Sequence, residues 1–124
     1  MTKKVLFVDD NEDWRMMVST ALSDAGYQVL TAKDAGEVLE QMEGANVDLA
    51  VLDVDLAGES GVSLMKFLNR NHPDVPIILY TGLRHDDDTI LKMLQEGAYQ
   101  YLPKGTMSDL LTAVRRVLTR GDAV

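Results

Sequence analysis

Leu49-Ala50-Val51-Leu52-Asp53-Val54-Asp55 is the stretch on which the fold turns. Its first four residues are a continuous apolar run of strand length with no alternation. Such a run suits a strand buried on both faces of a parallel sheet. The run stops on a carboxylate, Asp53, with a second, Asp55, two residues on. Asp is at home in turns, but an acid directly on the end of a buried strand is an awkward choice for a turn alone.

The same grammar recurs along the chain. Val5-Leu6-Phe7-Val8 runs into Asp9-Asp10, and Ile77-Ile78-Leu79-Tyr80 runs into Thr81-Gly82. Tyr27-Gln28-Val29-Leu30-Thr31 and Tyr99-Gln100-Tyr101-Leu102 are more mixed and suit the two edges of a sheet. Helix-period stripes lie between: Trp14, Met17, Val18, Ala21, Leu22 and Ala25; Ala35, Val38, Leu39 and Met42; Leu64, Met65 and Leu68; Ile90, Met93, Leu94 and Gly97; Leu110, Leu111, Val114, Val117 and Leu118. Asp34 with Glu37, and Thr106 with Asp109, have the spacing of a capping box. Gly26, Gly44, Gly97 and Gly121 stand where helices should end. Five strand–helix units in alternation imply an α/β fold, (βα)5: a doubly wound five-stranded parallel sheet with right-handed crossovers and helices on both faces. We expect one domain over residues 1–124, with a core of about 4–120.

Composition narrows the function. There are no cysteines, so disulfides, thiolate metal sites and a cysteine nucleophile are excluded. The formal net charge of −8 argues against nucleic-acid binding by this chain alone, since that needs clustered cations. No apolar run approaches the ~20 residues of a membrane span, and Val5–Val8 is too short for a signal-peptide core. The expectation is a soluble, cytoplasmic protein.

Ligands of open α/β sheets sit outside the carboxyl ends of the strands. Those ends carry Asp9 and Asp10, Asp53 and Asp55, Thr81 and Gly82, and, at one edge, Lys104. Gathered carboxylates repel one another, and an oxygen-seeking divalent cation relieves that. Mg²⁺ fits best, with Mn²⁺ as an alternative, because it takes one or two carboxylates, keeps water and accepts phosphate oxygens. A cation, an amine and a hydroxyl around a carboxylate suit a transferring phosphoryl group, and a carboxylate can itself be the nucleophile.

With these residues in order, the chain resembles the receiver domain of two-component response regulators, a CheY-like, flavodoxin-like fold. The likeness runs from about Lys4 to Arg120 and rests on Val8-Asp9-Asp10, Asp53, Thr81-Gly82 and Tyr101-Leu102-Pro103-Lys104; Gly61 stands where that family has a glycine after its acceptor. The resemblance implies strand order 2-1-3-4-5 and Asp53 as phosphoacceptor. It implies metal ligation by Asp10, Asp53 and the Asp55 backbone carbonyl, with Asp9 helping through water. Lys104 and Thr81-Gly82 would attend the phosphoryl group, and Tyr101 would be an aromatic switch. The donor would be a histidine kinase or phosphotransfer protein. An unknown downstream protein would read the surface of the fourth helix, fifth strand and fifth helix, through which a homodimer is also conceivable. Gly105 follows Lys104 where the family often has a proline joined by a cis peptide, and Ala57 replaces another common proline.

Other readings compete. Asp53-Val54-Asp55 also suits the Asp-x-Asp signature of haloacid-dehalogenase phosphatases, although there the motif belongs on the first strand of a longer chain. A degenerate receiver serving as a docking module, and a nucleotide-binding flavodoxin-like domain, are further alternatives; the last lacks a Gly-rich phosphate loop. Asp9-Asp10 and Asp86-Asp87-Asp88 could be simple helix N-termini. Trp14 is placed near the metal loop, the methionines are read as core filler first, and His72 and His85 are given no role. Whether the chain stands alone or is cut from a larger regulator or hybrid kinase is open.

Overall fold

The computed structural model describes residues 2–56 and 58–120. The expectations placed on Ala57, on Gly121 as a helix end and on the tail to Val124 lie outside the described residues. Five strands form the main sheet: β1 (Lys4–Val8), β2 (Gln28–Ala32), β3 (Leu49–Leu52), β4 (Ile77–Thr81) and β5 (Gln100–Pro103). Five helices alternate with them: α1 (Glu12–Asp24), α2 (Ala35–Met42), α3 (Gly61–Asn71), α4 (Asp87–Gln95) and α5 (Met107–Arg120). All pairings in the main sheet are parallel and the order is β2-β1-β3-β4-β5. This is the doubly wound arrangement expected from the strand–helix alternation, in the flavodoxin-like strand order that the resemblance implied.

The pleat divides the core. Leu6 and Val8, Ala50 and Leu52, and Ile77 and Leu79 meet the buried residues of α2, α3 and α4. Their neighbours in the strands, Val5 and Phe7, Leu49 and Val51, and Ile78 and Tyr80, meet Val18 and Leu22 of α1 and Leu110, Val114 and Leu118 of α5. Successive side chains of a strand point to opposite faces, so the unbroken apolar runs feed two cores at once. Each fully buried aliphatic side chain contributes about 1.5–3 kcal/mol.

The helical stripes are narrower than their sequence suggests. Met17 is 46% exposed and Leu39 54%, so neither is core filler. Each helix lies against one face of the sheet and buries only the residues at its centre line: Val18 and Leu22 in α1, Val38 and Met42 in α2. Met42, Met65 and Met93 do fill the core.

The caps differ from the expectation in detail. Asp34 accepts from the Glu37 N–H at 2.9 Å, but the Glu37 carboxylate reaches back to the Lys33 N–H rather than to Asp34 itself. Asn11, not Asp9 or Asp10, caps α1 by accepting from the Trp14 N–H at 3.0 Å. Asp86 caps α4 through the Thr89 N–H.

Candidate acidic phosphoacceptor site

The ladder carries each strand one residue past its end. Asp9 N–H donates to the Ala32 carbonyl and Asp53 N–H to the Val8 carbonyl, both at 3.0 Å; Lys104 N–H donates to the Thr81 carbonyl at 2.7 Å. The pleat therefore still governs which way these side chains leave. Asp9 and Asp53 continue the parity of Phe7 and Val51, and Lys104 that of Leu102, so all three leave toward the α1/α5 face. Thr81 continues the parity of Leu79 and leaves toward the α4 face, as does Tyr101.

The result at the carboxyl rim is a closed arrangement of charge. Lys104 Nζ donates to Asp9 Oδ2 at 2.6 Å and to Asp53 Oδ2 at 3.1 Å. The remaining oxygens are also used: Asn11 N–H donates to Asp9 Oδ1 at 2.9 Å and Asp55 N–H to Asp53 Oδ1 at 3.1 Å. Arg15 Nη1 donates to the Asp9 carbonyl at 2.8 Å, which pins the loop from α1. Asp9, Asp53 and Thr81 are buried, whereas Asp10 and Asp55 are exposed. Burial pushes the Asp9 carboxyl above its ordinary value, against the Lys104 and Asn11 hydrogen bonds that pull it down. Burial alone would lower the Lys104 ammonium, but its bonds to Asp9 and Asp53 and their charges outweigh that and hold its pKa above the usual lysine value.

Asp9, Asp10 and Asp53 each offer a carboxylate oxygen within 4.8 Å of the others. The donors are all oxygen and anionic, the chemistry that a hard divalent cation such as Mg²⁺ takes, so the residues fit such an ion. Asp55 presents its N–H to Asp53 and lies with Leu56 in a two-residue antiparallel ladder against Glu59–Ser60, outside the main sheet. That ladder leads into Gly61, whose position explains its residue type. A Cβ there would stand 1.9 Å from the Asp53 carbonyl oxygen, while the Gly61 N–H donates to the Val54 carbonyl at 2.8 Å.

Thr81 Oγ1 accepts from the Leu83 N–H at 3.3 Å. Next to it a cleft of about 550 Å³ opens between the β4–α4 loop, Tyr101 and Lys104. Tyr101 is half-buried; its hydroxyl lies 2.9 Å from His85 Nδ1 and donates to the Leu83 carbonyl at 3.4 Å. The His85 ring also stands edge-on to Tyr101 at 5.8 Å. Among the described residues all peptide bonds are trans, Lys104–Gly105 included.

Sequence reasoning named every side chain of this arrangement except three. It missed Asn11 and Arg15, which hold Asp9, and it gave His85 no role. The Asx-type cap preceding Glu12-Asp13 was a usable signal for Asn11; nothing local marks Arg15 or His85. It also assigned Lys104 to Asp53 alone, whereas the shorter bond is to Asp9.

Among the described residues no helix is long and apolar enough to cross a membrane. Comparison with known proteins agrees with the geometry. The profile of the response regulator receiver domain matches residues 5–115. The chain is 31% identical over 116 residues to the nitrogen assimilation regulatory protein NtrX of Azorhizobium caulinodans, covering 92% of this chain and 25% of that protein. It thus spans a quarter of the length of this relative. The chemotaxis protein CheY4 of Vibrio cholerae has the same fold at a TM-score of 0.86 and 32% identity, covering 94% of this chain and 99% of that one. The response regulator TrrA of Thermotoga maritima, solved in complex with Mg²⁺ and BeF, superposes at a TM-score of 0.83 with 27% identity, covering 94% of this chain and 99% of that one. On its ordered rim of acids, threonine and lysine, its strand order and these likenesses, the chain belongs to the response regulator receiver domain family.

Proposed function

We propose that the chain is a phosphoacceptor switch that takes a phosphoryl group onto Asp53 from a phosphohistidine on a kinase or phosphotransfer protein. The observation that carries this reading is the Lys104 ammonium bridging Asp9 and Asp53 inside a three-carboxylate cluster. An Asp53 oxygen attacks phosphorus, the new O–P bond forms, and the P–N bond to the donor imidazole breaks with its electron pair returning to nitrogen. Asp9, Asp10, Asp53 and the Asp55 carbonyl would hold Mg²⁺. That ion, when bound, supplies positive charge to the phosphoryl oxygens in the transition state. Lys104 also gives positive charge to the phosphoryl group, exchanging Asp53 Oδ2 for a phosphoryl oxygen while keeping Asp9. Thr81 Oγ1, now accepting from Leu83, has a hydroxyl proton to give, and Gly82 leaves its approach unobstructed.

Readout follows from the parity of the strands. Movement of Thr81 toward the phosphoryl group releases the Leu83 N–H, and Leu83 and His85 are the residues that hold Tyr101. Tyr101 would follow into the cleft and alter the surface of α4, β5 and α5, where Leu91, Leu94 and Tyr99 are exposed apolar groups suited to a partner. The whole is a population shift between two loop states, without net turnover beyond the chain's own phosphorylation and dephosphorylation.

The test is incubation with Mg²⁺ and a small acyl phosphate, followed by intact mass. One base-labile, hydroxylamine-labile phosphoryl group per chain, absent from Asp53→Asn, is expected. Steady release of phosphate from a generic ester would instead favour the phosphatase reading, and an unlabelled chain would favour a docking module.

A further inference from the structure

The Lys104 ammonium has a third neighbour besides its two carboxylates. Its Nζ lies 4.7 Å from the centroid of the Trp14 ring. Trp14 sits in the first turn of α1, its backbone N–H donating to Asn11 Oδ1. Its ring stands edge-on to Tyr80 at 5.8 Å and 83°, and Tyr80 is fully buried on β4. The cap sets the backbone from which the indole leaves, and Tyr80 of the sheet packs against the ring. The indole presents its electron-rich face to the ammonium that bridges the two acids. Cations are drawn to that face, more strongly when water is kept away, and the Lys104 side chain is only 10% exposed.

We propose that Trp14 is a positioning residue of the acceptor site: its indole backs the Lys104 ammonium and holds it against the Asp9 and Asp53 carboxylates. The inference rests on the phosphoacceptor reading above and adds a residue to it. A lysine has four rotatable bonds in its stem and loses much freedom when fixed. Two carboxylates attract it from the rim, and the indole lies against it from α1. When a phosphoryl group arrives, Lys104 must give up Asp53 Oδ2 for a new oxygen. The indole, with Asp9, is a contact kept through this exchange, and it limits how far the ammonium can swing.

Plain packing is the alternative, and it predicts differently. A positioning role works through Lys104, so it acts on the phosphoryl-like ligand and not on the metal. A general distortion of α1, which begins just after Asp9-Asp10, weakens both ligands together.

The test compares wild type with Trp14→Phe and Trp14→Leu in three measurements. Magnesium affinity alone is the first. Affinity for beryllofluoride, the aspartyl-phosphate mimic, at saturating magnesium is the second. The third is the NMR shift of the Lys104 ε-methylene protons, which an overlying indole moves upfield. Expected for Trp14→Leu is a roughly tenfold loss of beryllofluoride affinity, and for Trp14→Phe roughly threefold; magnesium binds no more weakly, and the upfield shift shrinks in Phe and vanishes in Leu. Should the Leu variant not fold, the Phe variant decides alone. Unchanged beryllofluoride binding, equal loss of both ligands, or a Lys104 shift indifferent to the substitution each overturns the proposal. A wild type that binds magnesium but no beryllofluoride, or an Asp53→Asn variant that binds it equally well, refutes the phosphoacceptor reading and takes the positioning role with it.

Discussion

Replacing Gly61 with alanine adds one methyl group where its backbone lies against that of Asp53. That carbon would meet the Asp53 carbonyl oxygen at 1.9 Å, Val54 Cα at 2.8 Å and the Asp53 carbonyl carbon at 2.9 Å. These are backbone atoms, so no rotamer change relieves the clash. Ordinary contact requires a retreat of about 1.5 Å, while the 2.8 Å bond from Gly61 N–H to the Val54 carbonyl holds the two segments together. Overpacking of this kind costs about 1–3 kcal/mol, and for a chain of this size the melting temperature should fall by about 5–15 °C. The functional loss should be larger than the stability loss. A displacement of about 1 Å at a reacting group costs on the order of 100-fold in rate, and the atoms displaced belong to Asp53 itself. Circular dichroism melting and the rate of labelling by an acyl phosphate measure the two effects. Gly36→Ala is the internal control: it lies within α2, its added carbon meets only Asp34 Oδ1 at 3.4 Å, and alanine in a helix should gain up to about 1 kcal/mol. A Gly61→Ala chain that melts within about 2 °C of wild type and labels at the same rate refutes the claim that this approach sets the position of Asp53.

Three further outcomes are expected. Lys104→Met leaves the buried Asp9 and Asp53 without their shared cation and should lower stability by about 2 kcal/mol; saturating magnesium should restore most of it, and a melting temperature equally depressed with and without magnesium refutes the bridging role. Tyr80→Phe removes a buried hydroxyl that makes no well-formed hydrogen bond among the described residues, its contact with the Gly105 backbone N–H being a weak one, so it should be neutral or gain up to about 1 kcal/mol in urea melts; a clear loss would mean the Gly105 bond holds the hydroxyl. His85→Ala should free the Tyr101 ring, changing its NMR signals with less than about 1 kcal/mol lost in stability. Unaltered Tyr101 signals would remove His85 from the loop that holds it.

The fold was legible because burial on both faces leaves a plain trace: uninterrupted apolar runs at Val5, Leu49 and Ile77, each ending on a polar group. The edge strands at Gln28 and Gln100 were legible for the opposite reason, since an edge tolerates mixed composition. The Asp55–Leu56 and Glu59–Ser60 ladder was not legible, because two residues carry no period. Exposure of Met17 and Leu39 was missed because a stripe records which residues could face inward, while the curvature of the sheet decides how many do. Site membership was readable at strand ends, but site pairing was not. Lys104 lies 95 residues from Asp9 in sequence, and their 2.6 Å bond depends on the register of β1, β3, β4 and β5 together. The His85 and Trp14 contacts depend likewise on loop and helix placement that no short pattern encodes.

The pleat that sends Asp9, Asp53 and Lys104 one way and Thr81 and Tyr101 the other has an evolutionary corollary. On the phosphoacceptor reading, the acids and the lysine stand on one wall of a thin partition and the threonine and tyrosine on the other, and the two sets meet only at the rim between them. On that reading, drift on the outer surface of α4 changes who listens without touching Asp9, Asp53 or Lys104. Only substitutions at the rim tax both, so a lineage of such chains can diversify its wiring while its reagent stays the same.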